Sequence, residues 1–296
     1  EAAASGWRSA LLGAAWDGEW FLRAWFDDGS PLGAERCTEA RIDLIAQAWS
    51  VLSGAAPQPR QDQALAAVEQ HLVDGEAGLV RLLDPPFAHS DPSPGYIQAY
   101  PPGVRENGGQ YAHAAVWALM AVARNAVEHG PPTGPALMET AGNRVYRQFC
   151  WLSPAHRSAN AQQSVAYGLE PYAMAGDICS QPPHTGRGGW SWYTGAAAWL
   201  HRAAVESMFG LSLQARRLRL QPCLPTHWPQ AELILQREHR RMRFIAVQLS
   251  PQAARASLAS HHQPGCEAAL LHPGEWLDWP GLPEQSCFVI PLKGDE

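Results

Sequence analysis

A change of texture near residue 210 constrains this chain more than any other feature. From residue 13 to about 210 the apolar residues recur at helical spacing, in segments separated by Pro, Gly and Asp. Beyond that point "RRLRLQPCLP", "ELILQREHRRMRFIAVQLS" and "CFVIPL" alternate apolar and polar residues, which is the period of half-buried strands. The chain therefore reads as a helical part over 1–211 and a small β domain over 212–296, expected to pack directly together. The clearest helical stretch is Ile42, Ile45, Ala46, Trp49 and Leu52, bounded by Gly54 and Pro57. Others are expected over 61–73, 113–128, 134–149, 160–178 and 195–209. The intervening loops 84–112 and 180–194 exceed the ~12–15 residues usual for a structureless connection, which marks them as functional.

Charge and composition narrow the function. A net charge of −6 with no basic run leaves no electrostatic footprint for nucleic acid. No apolar run approaches the ~18 residues of a membrane span, and the N-terminus lacks the order of a signal peptide. Six scattered cysteines form neither a disulfide framework nor a C-x-x-C zinc pair. The expected setting is the cytosol, with the chain either free or the cytosolic part of a membrane-anchored parent. Thirteen tryptophans are many for this length, and indole offers the flat platform with a polar handle that carbohydrate favours. No P-loop, dinucleotide fingerprint or G-x-S-x-G occurs, and His261 and His262 have no further ligand at metal spacing, so neither a cofactor nor a metal is expected.

Three stretches carry chemistry. In "YPPGVRENGGQYAHAAVWALMAVAR", residues 100–124, prolines and glycines bring backbone close while Arg105, Glu106, Asn107, Gln110 and His113 crowd one turn before a helix starting at Tyr111 or Ala112. Such groups suit sugar hydroxyls or an anion, and equally an ion-paired loop with a helix cap. In "GRGGWSWYTGAAAW", Thr194 and Gly195 open a helix whose unpaired N–H groups favour an anion. That segment alone is better read as an ordinary N-cap at Thr194 with Trp190, Trp192 and Trp199 filling the core. In "WDGEWFLRAWFDDGSPLG", residues 16–33, Asp17, Glu19, Asp27 and Asp28 stand among aromatics; for Asp28 an Asp-Gly turn is the favoured role.

Together, in this order, the stretches resemble the inverting glycoside phosphorylases of the cellobiose and chitobiose phosphorylase family. "RIDLIAQAWSVLSGAA" and the motifs above look most like the phosphorylase-type region at the C-terminal end of cyclic β-1,2-glucan synthases. The resemblance implies the C-terminal half of an (α/α)6 toroid followed by a small β-sandwich-like domain. It implies attack of inorganic phosphate, the co-substrate, on a β-glucan or oligosaccharide, with inversion and release of α-glucose 1-phosphate. Phosphate ligands would be His113, Thr194 and Gly195. Tyr100, Arg105 and Glu106 would contact the leaving sugar, Trp190 and Trp192 would wall the sugar site, and Glu106 would fix His113 or a hydroxyl. The family's general acid belongs to a "DWNDG"-like motif upstream, absent here, so no residue of this chain is assigned as catalytic and the isolated chain is expected to be inactive. Ala112 in place of a frequent Thr, and "GDICSQ" in place of a more aromatic run, bear on substrate preference. A second reading is a non-catalytic glycan-binding or scaffolding fragment. An ordinary hydrolase ranks last, since no second carboxylate stands ready to activate water.

The chain begins at Glu1 rather than Met and reads as part of a longer protein, whose N-terminal half would be its partner. Half a toroid leaves helices without neighbours and a wide apolar surface open. The expected outcome is self-association of the isolated chain in sedimentation or light scattering; a clean, cooperatively unfolding monomer would contradict it.

Overall fold

A computed structural model describes residues 1–130 and 139–294, which form two compact units, Glu1–Ala203 and Ala204–Glu296. In the first unit, helix α1 (Ala2–Gly13) buries none of its residues, and Trp7 on it is 75% exposed. A hairpin of β1 (Ala24–Trp25) and β2 (Pro31–Leu32) follows. Its turn is closed by Asp28, whose carboxylate accepts from Ser30 N–H and Oγ–H at 2.8 and 2.6 Å, the Asp-Gly turn expected from sequence.

Helix α2 (Leu44–Leu52) starts later than its periodicity suggests, because Ile42 and Asp43 form strand β3 (Ile42–Asp43). Asp43 then caps the helix, accepting from the N–H groups of Ile45 and Ala46 at 2.8 and 3.2 Å. Gln47, fully buried, binds both polar groups of the Phe21 backbone at 2.8 Å and so fixes the 16–33 stretch to α2. Helix α3 (Gln58–His71) starts beside Pro57, and short strands β4 (Val73–Asp74), β5 (Leu79–Val80) and β6 (Leu83–Asp84) follow. Strand β6 pairs with β3, and β4 with β5.

The expected loop 84–112 holds a 3-10 turn, Gly95–Ala99, and strand β7 (Gln110–Tyr111). Helix α4 (Ala112–His129) is the axis of this unit: ten of its residues are buried, six of them alanines, so α2, α5 (Ala141–Leu152) and α8 (Thr194–Arg202) pack closely against it. The sequence places a helix over 134–149; the N-terminal part of that range lies outside the described residues, and the helix seen there begins at Ala141 and is capped by Thr140. Arg144 and Arg147 tie α5 to Glu69 of α3 at 3.2 and 2.6 Å.

After α6 (Pro154–Arg157), the helix expected over 160–178 is only α7 (Ala161–Tyr167). It stops because Gly168 adopts a left-handed conformation, the usual C-terminal device. The chain then turns into β8 (Asp177–Ile178), and β9 (Gly188–Gly189) occupies the expected loop 180–194.

The chain passes into the second unit through a π-helical turn, Ala203–Met208. Strands β10 (Leu211–Gln214) and β11 (Arg217–Leu220) form a hairpin; β12 (Gln230–Arg237) and β13 (Arg240–Val247) form another. After α9 (Pro251–Ser257) come β14 (Ala268–Leu270), β15 (Leu277–Asp278) and β16 (Gln285–Pro291). The sheets are β10-β11-β15 and β12-β13-β16-β14, with β16 parallel to both neighbours. Leu211, Leu218 and Leu220 of the first share a core with Met242, Phe244, Phe288 and Ile290 of the second.

Burial raises the Asp43 carboxyl from 3.8 to about 6 despite Arg23 at 3.5 Å. Its protonated form is thus favoured on folding: that stabilisation is complete below pH 3.8 and is lost as pH rises through about 6. Asp43→Asn keeps an acceptor for the cap and removes the charge, so its unfolding free energy should exceed that of the unmutated chain progressively between these values. Asp43→Ala should lose about 1 kcal/mol of capping. Denaturant titrations at pH 4 and 7 check both.

Candidate functional site

Three short strands, the first of them distant in sequence from the other two, meet in one small sheet. Tyr111 of β7 pairs with Asp177 of β8, which pairs with Gly189 of β9. The sheet ends where α4 begins, and Ala112 N–H donates to Gly176 O at 2.9 Å. On the other side Tyr193 N–H donates to Met174 O at 2.8 Å, which sets the start of α8. The two helix N-termini are thereby brought together. A Cβ on Gly195 would lie only 3.1 Å from His113 Nε2, so the bare Gly195 is what lets the imidazole approach α8.

His113 sits in an aromatic frame of Tyr111, Tyr193 and Trp117, with ring centroids 6.0, 5.3 and 5.8 Å away. The Tyr111 and Tyr193 hydroxyls are 2.8 Å apart. Burial pushes the His113 pKa down, which favours the neutral imidazole, a group that offers hydrogen bonds rather than a full charge. Its Nδ1 is buried with no hydrogen-bond partner among the described residues, as is Trp117 Nε1. Buried polar atoms without partners are costly and call for a polar ligand or water.

Thr194 does not cap α8. It is the first helical residue, exposed, while Tyr193 occupies the cap position without a side-chain cap bond. Trp190 and Trp192 are not core fillers either, being 66% and 60% exposed. Both have positive φ, +57° and +60°, a strained choice for an aromatic residue. Trp199 is half-buried against Trp117, at 5.8 Å.

The cation of the site is Arg105. Its guanidinium lies 5.3 Å from the Tyr100 ring and 4.8 Å from the Trp190 ring, and its Nε is 3.5 Å from Glu106 Oε2. Glu106 thus faces Arg105 rather than His113. Arg105 Nε and Glu106 Oε2 are also buried without a hydrogen-bond partner. Arg105 adopts φ +52°, and its N–H donates to Asp177 Oδ2 at 2.9 Å. Asp177 is 3% exposed; burial raises its pKa, while the Arg105 N–H and charge pull it down.

Sequence reasoning missed Asp177, Trp117 and Tyr193. The only sequence trace of Asp177 was its place before the departing residues of "GDICSQ". Conversely, Asn107 and Gln110 are fully buried and spent on backbone. Asn107 bridges Phe87 and the Tyr100 carbonyl, and Gln110 joins Val80 to Trp151 O. They shape the loop and are not ligands. Among the described residues no three His, Cys, Asp or Glu side chains group as metal ligands would, and no helix is long and apolar enough to cross a membrane.

Residues 1–210 match the catalytic domain of the Glycosyl hydrolase 94 superfamily. The chain is similar to cyclic beta-(1,2)-glucan synthase NdvB of Rhizobium meliloti (strain 1021), 42% identical over 222 residues, which are 75% of this chain and 7% of that protein. It is also similar to solabiose phosphorylase of Paenibacillus borealis, 29% identical over 76% of this chain and 27% of that protein. With N,N'-diacetylchitobiose phosphorylase of Vibrio proteolyticus the identity is 27%, over 75% of this chain and 26% of the relative. The chain thus spans less than a third of the length of each of these relatives.

Gly195→Ala separates folding from the site. Alanine at an exposed helix position should stabilise α8 by roughly 0.5–1 kcal/mol, while its methyl, 3.1 Å from His113 Nε2, displaces the ring. The expected result is an equal or higher thermal midpoint together with shifted His113 ring resonances in NMR.

Proposed function

This chain belongs to the Glycosyl hydrolase 94 superfamily, and on that premise we propose that it forms the phosphate- and sugar-binding half of an inverting glycoside phosphorylase acting on β-linked glucan. In this reading phosphate sits at the start of α8, taking hydrogen bonds from Thr194, the free N–H groups of the helix and the neutral His113. The sugar lies against Trp190 and Trp192. Arg105, held between Tyr100 and Trp190 and partnered by Glu106, meets the hydroxyls of the leaving sugar.

The observation that carries this reading is the meeting of His113 with the bare Gly195 at two helix N-termini, with the buried His113 Nδ1 left without a hydrogen-bond partner among the described residues. Relatives named as phosphorylases support it. The relative named as a cyclic beta-(1,2)-glucan synthase favours a β-1,2-linked glucan. Phosphate is already an anionic nucleophile and needs no general base, so one carboxylic acid suffices, protonating the leaving oxygen. That acid, and the other half of an (α/α)6 toroid that would pack against these helices, are supplied by a segment preceding this one. Its parent works in the cytosol or at the cytosolic face of a membrane.

In the complete protein, His113→Ala and Thr194→Ala should each lower phosphate-dependent cleavage of β-1,2-gluco-oligosaccharides by roughly two orders of magnitude, the scale of losing a positioned hydrogen-bond donor. Anomeric proton NMR of α-glucose 1-phosphate release is the measurement. Undiminished release in both variants would remove the phosphate site from these residues.

A further inference from the structure

Away from His113, two open cavities of about 690 and 350 Å³ adjoin on the first unit and share Ala166 and Thr185 in their lining. Both fall in the ~300–1,000 Å³ range of small-molecule sites. One end of this groove is formed by the Gly75–Gly78 turn with Trp151 and Arg157, the other by His184 and Arg187.

The lining is chemically specific. Arg157 Nε donates to Trp151 O at 2.6 Å, and one terminal nitrogen donates to Gly78 O. Both partners are neutral carbonyls, and burial pulls its pKa down to about 10. Its second terminal nitrogen is left for an occupant of the cavity. Trp151 carries Arg147 over its ring at 4.7 Å. The Gly78 backbone packs close against its Nε1 edge, where a Cβ would stand only 3.0 Å away, and the indole lines the cavity. Gln162, Gln163 and Thr185 add groups that both donate and accept. Hydroxyls also do both, whereas an anion only accepts, and the one carboxylate in the lining, Glu76, is exposed. Amides, a hydroxyl, a guanidinium and an indole around an elongated groove fit a neutral sugar chain.

The groove is close to the site. Gly186 lines it, and four residues later Trp190 packs over Arg105 at 4.8 Å. At ~3.6 Å per residue the Cα atoms of Gly186 and Trp190 are at most about 14 Å apart, the span of a few sugar rings. We propose that this groove is a chain-holding subsite, taking the distal glucosyl units of an oligosaccharide whose other end is engaged beside Arg105 and Trp190. The proposal rests on the phosphorylase reading above and adds to it a preference for chains over the disaccharide.

Ala166 is exposed on α7 and borders both cavities, so Ala166→Trp fills the groove without disturbing the core. In the complete protein, KM and kcat for phosphorolysis are measured with sophorose and with longer β-1,2-gluco-oligosaccharides, and binding is followed in parallel by tryptophan fluorescence without phosphate. The wild type should show KM falling with chain length. Ala166→Trp should erase that advantage, by roughly tenfold, the weight of one or two hydrogen bonds, and Gln162→Ala should move the same way. A KM independent of length, or a length dependence untouched by both variants, overturns the subsite. If no substrate releases α-glucose 1-phosphate, the phosphorylase reading fails by itself. Length-dependent fluorescence binding that Ala166→Trp abolishes then still upholds the groove, and its absence overturns that too.

Discussion

The Asp177 carboxylate is the joint on which the first unit's functional geometry depends. It lies in the middle strand of the β7-β8-β9 sheet, buried, with one oxygen fixed by the Arg105 N–H at 2.9 Å. The other oxygen occupies the space over Gly189, where a Cβ would come within 2.7 Å. A buried carboxylate is tolerated only where such donors surround it. Its satisfaction therefore demands the left-handed turn at Arg105 and a glycine at 189. The same pairings deliver Ala112 and Tyr193 to the starts of α4 and α8. One short sheet thus sets the approach of His113 to Gly195 and the seat of Arg105 between two rings.

Sequence periodicity identified α2, α3, α4 and α8 because their apolar faces are buried against neighbours, which is the property that periodicity measures. It failed over 160–178, where the apolar residues Tyr167, Ala175 and Ile178 do cluster but are brought together by a glycine stop, a turn and a strand rather than by a helix. The two-residue strands were invisible for a related reason: no repeat can be read from one pair, and β3 and β7 find their partners tens of residues away.

At the site, legibility followed the chemistry of each side chain. His113 and Gly195 were singled out together only through the family resemblance of their motifs, since alone a helix start beside Thr194 reads as an ordinary cap, and the structure brings the two close. Asn107 and Gln110 looked equally like ligands, because a backbone partner and a sugar hydroxyl ask for the same amide groups. Only burial tells them apart. Asp177 was passed over because nothing in its neighbourhood indicates that Arg105, 72 residues earlier, will donate to it. The exposure of Trp190 and Trp192 could not be read from composition, since their left-handed backbone is imposed by the sheet beside them. Gly176, whose N–H donates to Trp190 O at 3.0 Å, is one of its constraints.

The parallel pairing of β16 in the second unit has a consequence for the order of assembly. This strand lies between β13 and β14, although both precede it in the chain. During synthesis the β12-β13 hairpin emerges well before the strand that will cover its flank. For that interval β13 presents an open edge bearing Phe244, Ile245 and Val247, all buried once folding is complete. An uncovered apolar edge is a template for pairing with other chains. The nascent chain is therefore vulnerable to association at this flank until β16 arrives to close the sheet.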